Sequence, residues 1–298
     1  MSEMEIDKSQ PSRNSVKYQV TGMFCMMLAS ILWSLTGLFV KLLTWNVFVT
    51  LSLRGFATVL PLYLYMRFKG IPVAISRGTL TVGVFLGMCN TLFIMACKLT
   101  SSANAVVLQY TSPIYIALFF WLFKKNKPRT QDITALVLTL VGILVIFSNQ
   151  ISHGGLQGDI LAALSGIMMA GMHISNGKLK AHEHLSGLML GQLFNGLTAF
   201  PALITSNPSY TLTNITLIIF MGSIQMCLSY LLFARASKTC KPLSCSLLST
   251  IEPVLNPIWV FLLLGEVPSI NSIIGGIIVV TAVTSWNALN IIDNYHKK

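Results

Sequence analysis

Charge is scarce in this sequence. Asp, Glu, Lys and Arg together make up 10% of its 298 residues, where soluble proteins carry roughly 25%, so the chain cannot coat a water-facing surface. Metal-ligand patterns are missing as well. The six cysteines (Cys25, Cys89, Cys97, Cys227, Cys240 and Cys245) form no CxxC pair, and the five histidines match no ligand spacing, so no metal site is expected. There is no Walker A loop, which excludes an ATP-driven pump. Clustered nucleophile, base and acid sets are absent, which argues against a membrane enzyme. The basic residues lack interleaved aromatics, so nucleic acid is not an expected partner despite a net charge of +11.

What the chain has instead is apolar length. Hydrophobic residues make up 54% of it and its mean hydropathy is +0.71. Runs of about 20 apolar residues recur, the length that crosses a bilayer core as a helix; a membrane β-barrel would show alternating segments of about 10. Ten spans are expected, at 20–43, 46–67, 79–97, 102–123, 132–149, 158–178, 186–205, 213–235, 243–264 and 269–291. The first exceeds a signal-peptide core of about 7–15 residues and reads as a retained span. With the N-terminus inside, seventeen of the 20 Lys+Arg fall on the inner side, Lys41 and Lys98 on the outer, and Arg54 within a span. Such asymmetry places both termini in the cytoplasm.

The chain also repeats itself. Residues 96–128 align without a gap on 236–268, 140 positions later: Ala96 meets Ala236, Lys98 meets Lys238, Pro113 meets Pro253 and Pro128 meets Pro268. Near the start the offset drifts to about 137. A repeat of five spans must cross the membrane in opposite senses in its two copies. Inverted repeats of this kind place solute sites near the midplane, where the halves meet.

Ionisable groups inside a bilayer cost free energy and usually face a bundle interior. Two lie deep within spans. Glu252 is roughly 13 Å into the ninth, and Arg54 roughly 12 Å into the second, from the opposite face. Ser249, Glu252, Asn256 and Trp259 follow the spacing of one helical stripe, and Pro253 and Pro257 free carbonyls beside it. In the first copy Gln109, Ser112 and Pro113 hold the matching places, with Ser112 the mate of Glu252. Glu252 can bind a substrate ammonium, relay protons or fix helix packing. Arg54 can partner Glu252 or bind the other end of a zwitterion. Trp33, Asn90, Tyr110, His173, Gln225 and Tyr230 fit either a cavity lining or interhelical hydrogen bonds, and His173 is a second candidate proton carrier. The Gly83-xxx-Gly87 and Gly187-xxx-Gly191 pairs suit close helix packing. Lys41, Lys98, Lys178 and Lys238 stand near span ends, where cationic chains snorkel; Glu266 reads as a loop-facing charge.

Several stretches together resemble the EamA-type transporters of the drug/metabolite transporter superfamily. "KLTSSANAVVLQYTSPIYIALF" (98–119) is similar to their fourth span and "LLSTIEPVLNPIWVFLLLGEVPS" (247–269) to their ninth. "LWSLTGLFVKLL" (32–43), "LRGF" (53–56) and "IIGGIIVVTAV" (273–283) resemble the first, second and tenth. The resemblance implies an all-α polytopic fold: ten transmembrane helices in two inverted five-helix repeats, 19–150 and 151–291, between cytoplasmic tails at 1–18 and 292–298. It implies a central cavity, export of small metabolites such as amino acids, a bacterial inner membrane, and no cofactor. The expected partners are the lipid bilayer, a small-molecule substrate and protons. A proton-coupled importer, a multidrug exporter, a membrane-embedded enzyme and a non-transporting scaffold are the competing readings; substrate, direction and oligomeric state stay open.

Overall fold

The computed structural model describes residues 16–149, 151, 155–265 and 267–296, leaving out the side chains of 16, 17, 41 and 291–296. Glu266, the Lys41 side chain and most of the two expected tails therefore lie outside the described residues. Among those described there is no strand, and ten helices are long and apolar enough to cross a membrane. They are α1 (Tyr18–Val40), α2 (Val47–Phe68), α3 (Arg77–Leu99), α4 (Ser102–Lys124), α5 (Thr130–Phe147), α6 (Leu156–Asn176), α7 (His184–Thr205), α8 (Leu212–Ser237), α9 (Pro242–Leu264) and α10 (Ile270–Asn290). Each matches one expected span to within a few residues. The backbone of the last stays helical to His296, into the segment expected as a tail.

The helix starts follow from short polar side chains that accept from otherwise unpaired first-turn N–H groups. Asn46 accepts from Phe48 at 2.9 Å, Ser76 from Thr79 at 3.2 Å and Ser101 from Asn104 at 3.1 Å. The ends of α4 and α9 are repeat mates in conformation as well as sequence. Lys125 (φ 53) and Gly265 (φ 75) both adopt the left-handed conformation that closes a helix. Gly takes it without steric cost, whereas Lys does not.

Packing crosses between the two copies. α1 lies on α8 as α3 lies on α6, while α2 meets α7, α4 meets α9 and α5 meets α10. The largest apolar cluster accordingly draws on both halves, with Met26, Leu62, Val82, Leu188, Phe233 and Val279 among its buried members. The two glycine pairs do what their spacing suggests. A Cβ on Gly83 would stand 3.0 Å from Leu190, one on Gly187 3.0 Å from Val82, and one on Gly191 2.7 Å from Leu86, so α3 and α7 interlock. At the other edge Trp286 of α10 donates to Asp132 of α5 at 2.9 Å, and Arg129, paired with Asp132 at 3.3 Å, also donates to Asn290.

Candidate functional site

Four of the ten helices are interrupted, and two of the breaks are repeat mates. α4 is broken at Tyr110 and Thr111, between Ser102–Gln109 and Ser112–Lys124, and α9 at Thr250, between Pro242–Ser249 and Ile251–Leu264. Each break lies two or three residues before the shared proline, Pro113 or Pro253. A proline lacks the amide that would reach back across that turn, and its ring crowds the carbonyl there. The second half of α4 touches the first half of α9 through Ser112 and Ser246, whose hydroxyls are 3.0 Å apart.

The second break pair has no mate. α1 is interrupted at Leu35, between Val16–Ser34 and Thr36–Leu42, which leaves the Leu32 carbonyl short of its helical donor. Gln225 of α8 supplies one: its amide donates to Leu32 O at 2.7 Å and to Thr36 Oγ1 at 2.9 Å. Gln225 lies in a segment of α8, Phe220–Met226, that is unwound into a π-helix, a feature that often marks functional sites. α7 is interrupted before Pro201.

The two proline breaks face each other. Tyr110, at the break of α4, lies close enough to Glu252, just past the break of α9, for the two to act on each other electrostatically. Arg54 of α2 is near enough for its charge to act on Glu252 and on Tyr230. Yet among the described residues the ion pair within 4 Å is Arg129 with Asp132, not Arg54 with Glu252. The Arg54 Nε is enclosed and has no hydrogen-bond partner. Tyr230 of α8 accepts from Gln192 of α7 and packs edge-on against Trp33, ring centroids 6.1 Å apart. Gln109 donates to Cys89 of α3 at 3.5 Å. Arg54, Gln109, Glu252, Trp33 and Asn256 are half-buried, while Tyr110 and Tyr230 are buried. A carboxylate, a guanidinium, two phenols and two amides are thus carried near mid-span by five helices.

The stripe expected on α9 does not form as one surface. The break at Thr250 separates Ser249 from the other three, and its buried hydroxyl turns back to Ser246 O at 2.7 Å. Ser112 is likewise buried, in its contact with Ser246. Trp259 donates to Ser34 of α1 at 2.8 Å, and Asn256 lies against Gly37, where a Cβ would come within 2.1 Å of its side-chain nitrogen. Gln225 is committed to the α1 break. Arg54 is not an ion-pair partner of Glu252. His173 is buried away from the charged pair: neither ring nitrogen has a hydrogen-bond partner, and the ring stands edge-on to Phe233 at 5.4 Å. Asn90 follows Cys89 on α3 and is half-buried. Among the snorkelling lysines, Lys98 lies over the Phe48 ring at 4.5 Å and Lys178 over that of Phe119 at 5.4 Å. Gln192 and Asn195 were absent from the expected set. Their signal, two amides one turn apart in an apolar span, is the same kind that singled out Glu252 and Asn256.

The described residues hold no group of three or more His, Cys, Asp or Glu placed for a metal. Comparison with known proteins adds the following. The model of the EamA-like transporter family matches residues 20–148 and again 156–287. An uncharacterised transporter of Clostridium kluyveri is 25% identical over 215 residues, 68% of each chain. The threonine/homoserine exporter RhtA of Escherichia coli is 28% identical over 189 residues, 62% of each chain. A solved crystal structure superposes with a TM-score of 0.76 over 91% of this chain and 98% of its own, at 15% identity, a likeness of fold.

Proposed function

The chain belongs to the EamA-like transporter family, and from that premise we propose that it exports small metabolites, amino acids foremost, by alternating access between its two halves. The observation that carries this reading is the facing pair of helix breaks, with Tyr110 close to Glu252 and Arg54 beside it without an ion-pair partner among the described residues. Interrupted helices at a repeat interface present charged and backbone groups to a solute near the midplane. The name of the Escherichia coli relative supports amino acids as the class. The ring of Trp33, edge-on to Tyr230 and tilted against Phe233, supports aromatic side chains within that class. Glu252 takes up a substrate ammonium in one phase of the cycle and a proton in the other, so that export draws on the pH gradient. The chain lies in the cell membrane with both ends in the cytoplasm, a reading supported by its Lys and Arg asymmetry.

The test is efflux of labelled threonine and phenylalanine from liposomes holding the purified chain, with and without an acidic exterior. Efflux faster under the gradient is expected. Glu252→Gln, which keeps the shape and removes the charge, should lower it about tenfold or more. No efflux of any solute would overturn transport, and an unaltered rate in the variant would remove the carboxylate from the mechanism.

A further inference from the structure

The interior charges are asymmetric in how well the protein satisfies them. Glu252 has the Tyr110 hydroxyl close by. Arg54, permanently charged, has no ion-pair partner within 4 Å among the described residues, and its Nε is enclosed without an acceptor. A cation at the centre of a membrane helix is costly even on the most lenient scale, so a guanidinium left in this state points to an anion that is not part of the chain. Its surroundings are those of an anion site. Tyr230, one of the two ionisable groups that act on Arg54, accepts a hydrogen bond from the Gln192 amide. That leaves the phenolic proton free to be donated, and among the described residues no hydrogen-bond acceptor takes it. The backbone holds these groups in place. α2 and α7 meet at Gly55, where a Cβ would lie 2.7 Å from Gln192 O and 2.8 Å from Gly196 N, and Ser52 donates to Gly196 O at 2.8 Å. One turn beyond Gln192, Asn195 is fully buried with both side-chain atoms unpartnered, a further polar group that the protein itself does not satisfy.

We propose that Arg54 and Tyr230 form a carboxylate-binding subsite, with Gln192 as the positioning residue that turns the Tyr230 proton toward it, while Glu252 and Tyr110 receive an ammonium. The transported class is then the zwitterionic α-amino acids, recognised by both charged ends and not by side chain alone. The planar fork of an arginine fits a carboxylate with two parallel hydrogen bonds, a geometry that lysine cannot reproduce. A site built for a charged group rejects the analogue lacking it, because its own polar groups are then left unpaired. This inference rests on the transporter reading and narrows its substrate.

The test compares three forms of each of three probes with the purified full-length chain: L-threonine, L-leucine and L-phenylalanine as free acid, as amide and as N-acetyl derivative. Binding is read from tryptophan fluorescence, with Trp33 beside Tyr230 as reporter, and exchange from counterflow in liposomes. The free acids should bind about tenfold or more tighter than the amides. Arg54→Gln should erase that ratio and Arg54→Lys reduce it. Gln192→Leu should also reduce it, with the amide's own affinity little altered, a pattern that general loss of packing would not produce. Equal binding of acid and amide to the unmodified chain would overturn the subsite, as would variants that weaken both forms by one factor. If no acid binds while nucleobases or sugars still exchange, the subsite falls and the transporter stands. If no solute exchanges at all, both fall.

Discussion

Single residues show most plainly where the two copies have parted. Lys125 and Gly265 close corresponding helices in the same left-handed conformation, but only glycine adopts it freely. Lys125→Gly should therefore stabilise the protein, by up to about 1 kcal/mol, seen as a higher midpoint in a thermal unfolding scan in detergent; a lower midpoint would mean that the Lys125 side chain contributes contacts outweighing its strain. Glu252 and Ser112 are a deeper divergence. Both positions follow a break, yet one carries the charge that Tyr110 reaches while the other is buried against Ser246. The importance of Glu252 and Arg54 was legible in the sequence because charge within an apolar run is conspicuous. The separation of Ser249 from their company was not. Residue spacing assumes an unbroken helix, and the break at Thr250 removes that assumption two residues before Glu252.

At the scale of elements, the positions of the helices were legible and their interruptions only half so. Apolar length located all ten spans, since a bilayer's thickness fixes it. The prolines indicated bends in α4 and α9, and both are broken there. Nothing in the local sequence marks the break of α1 at Leu35 or the π-helical segment of α8, because the two meet in the tertiary fold: Gln225 reaches the Leu32 carbonyl from within the unwound turn. Gln225→Leu removes the donor to Thr36 Oγ1 and leaves that carbonyl only the longer, 3.3 Å bond from Leu35 N–H. It should cost about 1 kcal/mol of stability and slow exchange more than it weakens substrate binding, which paired counterflow and binding measurements would separate. Equal losses in both would assign Gln225 to the binding site instead. The crossing of α5 and α10 is a purely steric element. At Gly142 a Cβ would stand 2.6 Å from Val279 and 2.9 Å from Gly275 O, so Gly142→Leu should destabilise the protein by about 1–3 kcal/mol, detected by thermal unfolding, with substrate affinity unaltered in whatever fraction folds.

For the whole molecule, the inverted repeat read from aligned prolines and lysines is visible in the main helix contacts, where α1 on α8 has its mate in α3 on α6 and the α2–α7, α4–α9 and α5–α10 pairings are their own mates. The orientation proposed from charge has a direct test. Single cysteines placed in the 69–76 and 124–129 loops of a chain freed of its own cysteines should react with a membrane-impermeant thiol reagent only in inside-out vesicles, and cysteines in the 206–211 loop only in right-side-out cells. The reverse labelling would invert the topology. Contact between copies bears also on how the protein is made. α1, α2 and α3 find their main neighbours in α8, α7 and α6, helices the ribosome has yet to synthesise when the first five are already in the bilayer. The early half must wait there with its polar faces, Arg54 among them, unmatched, and membrane insertion therefore precedes assembly by half a chain's length. The same interdependence implies that the two halves, expressed as separate polypeptides cut within 150–155, should find one another and restore efflux, while either alone should be degraded.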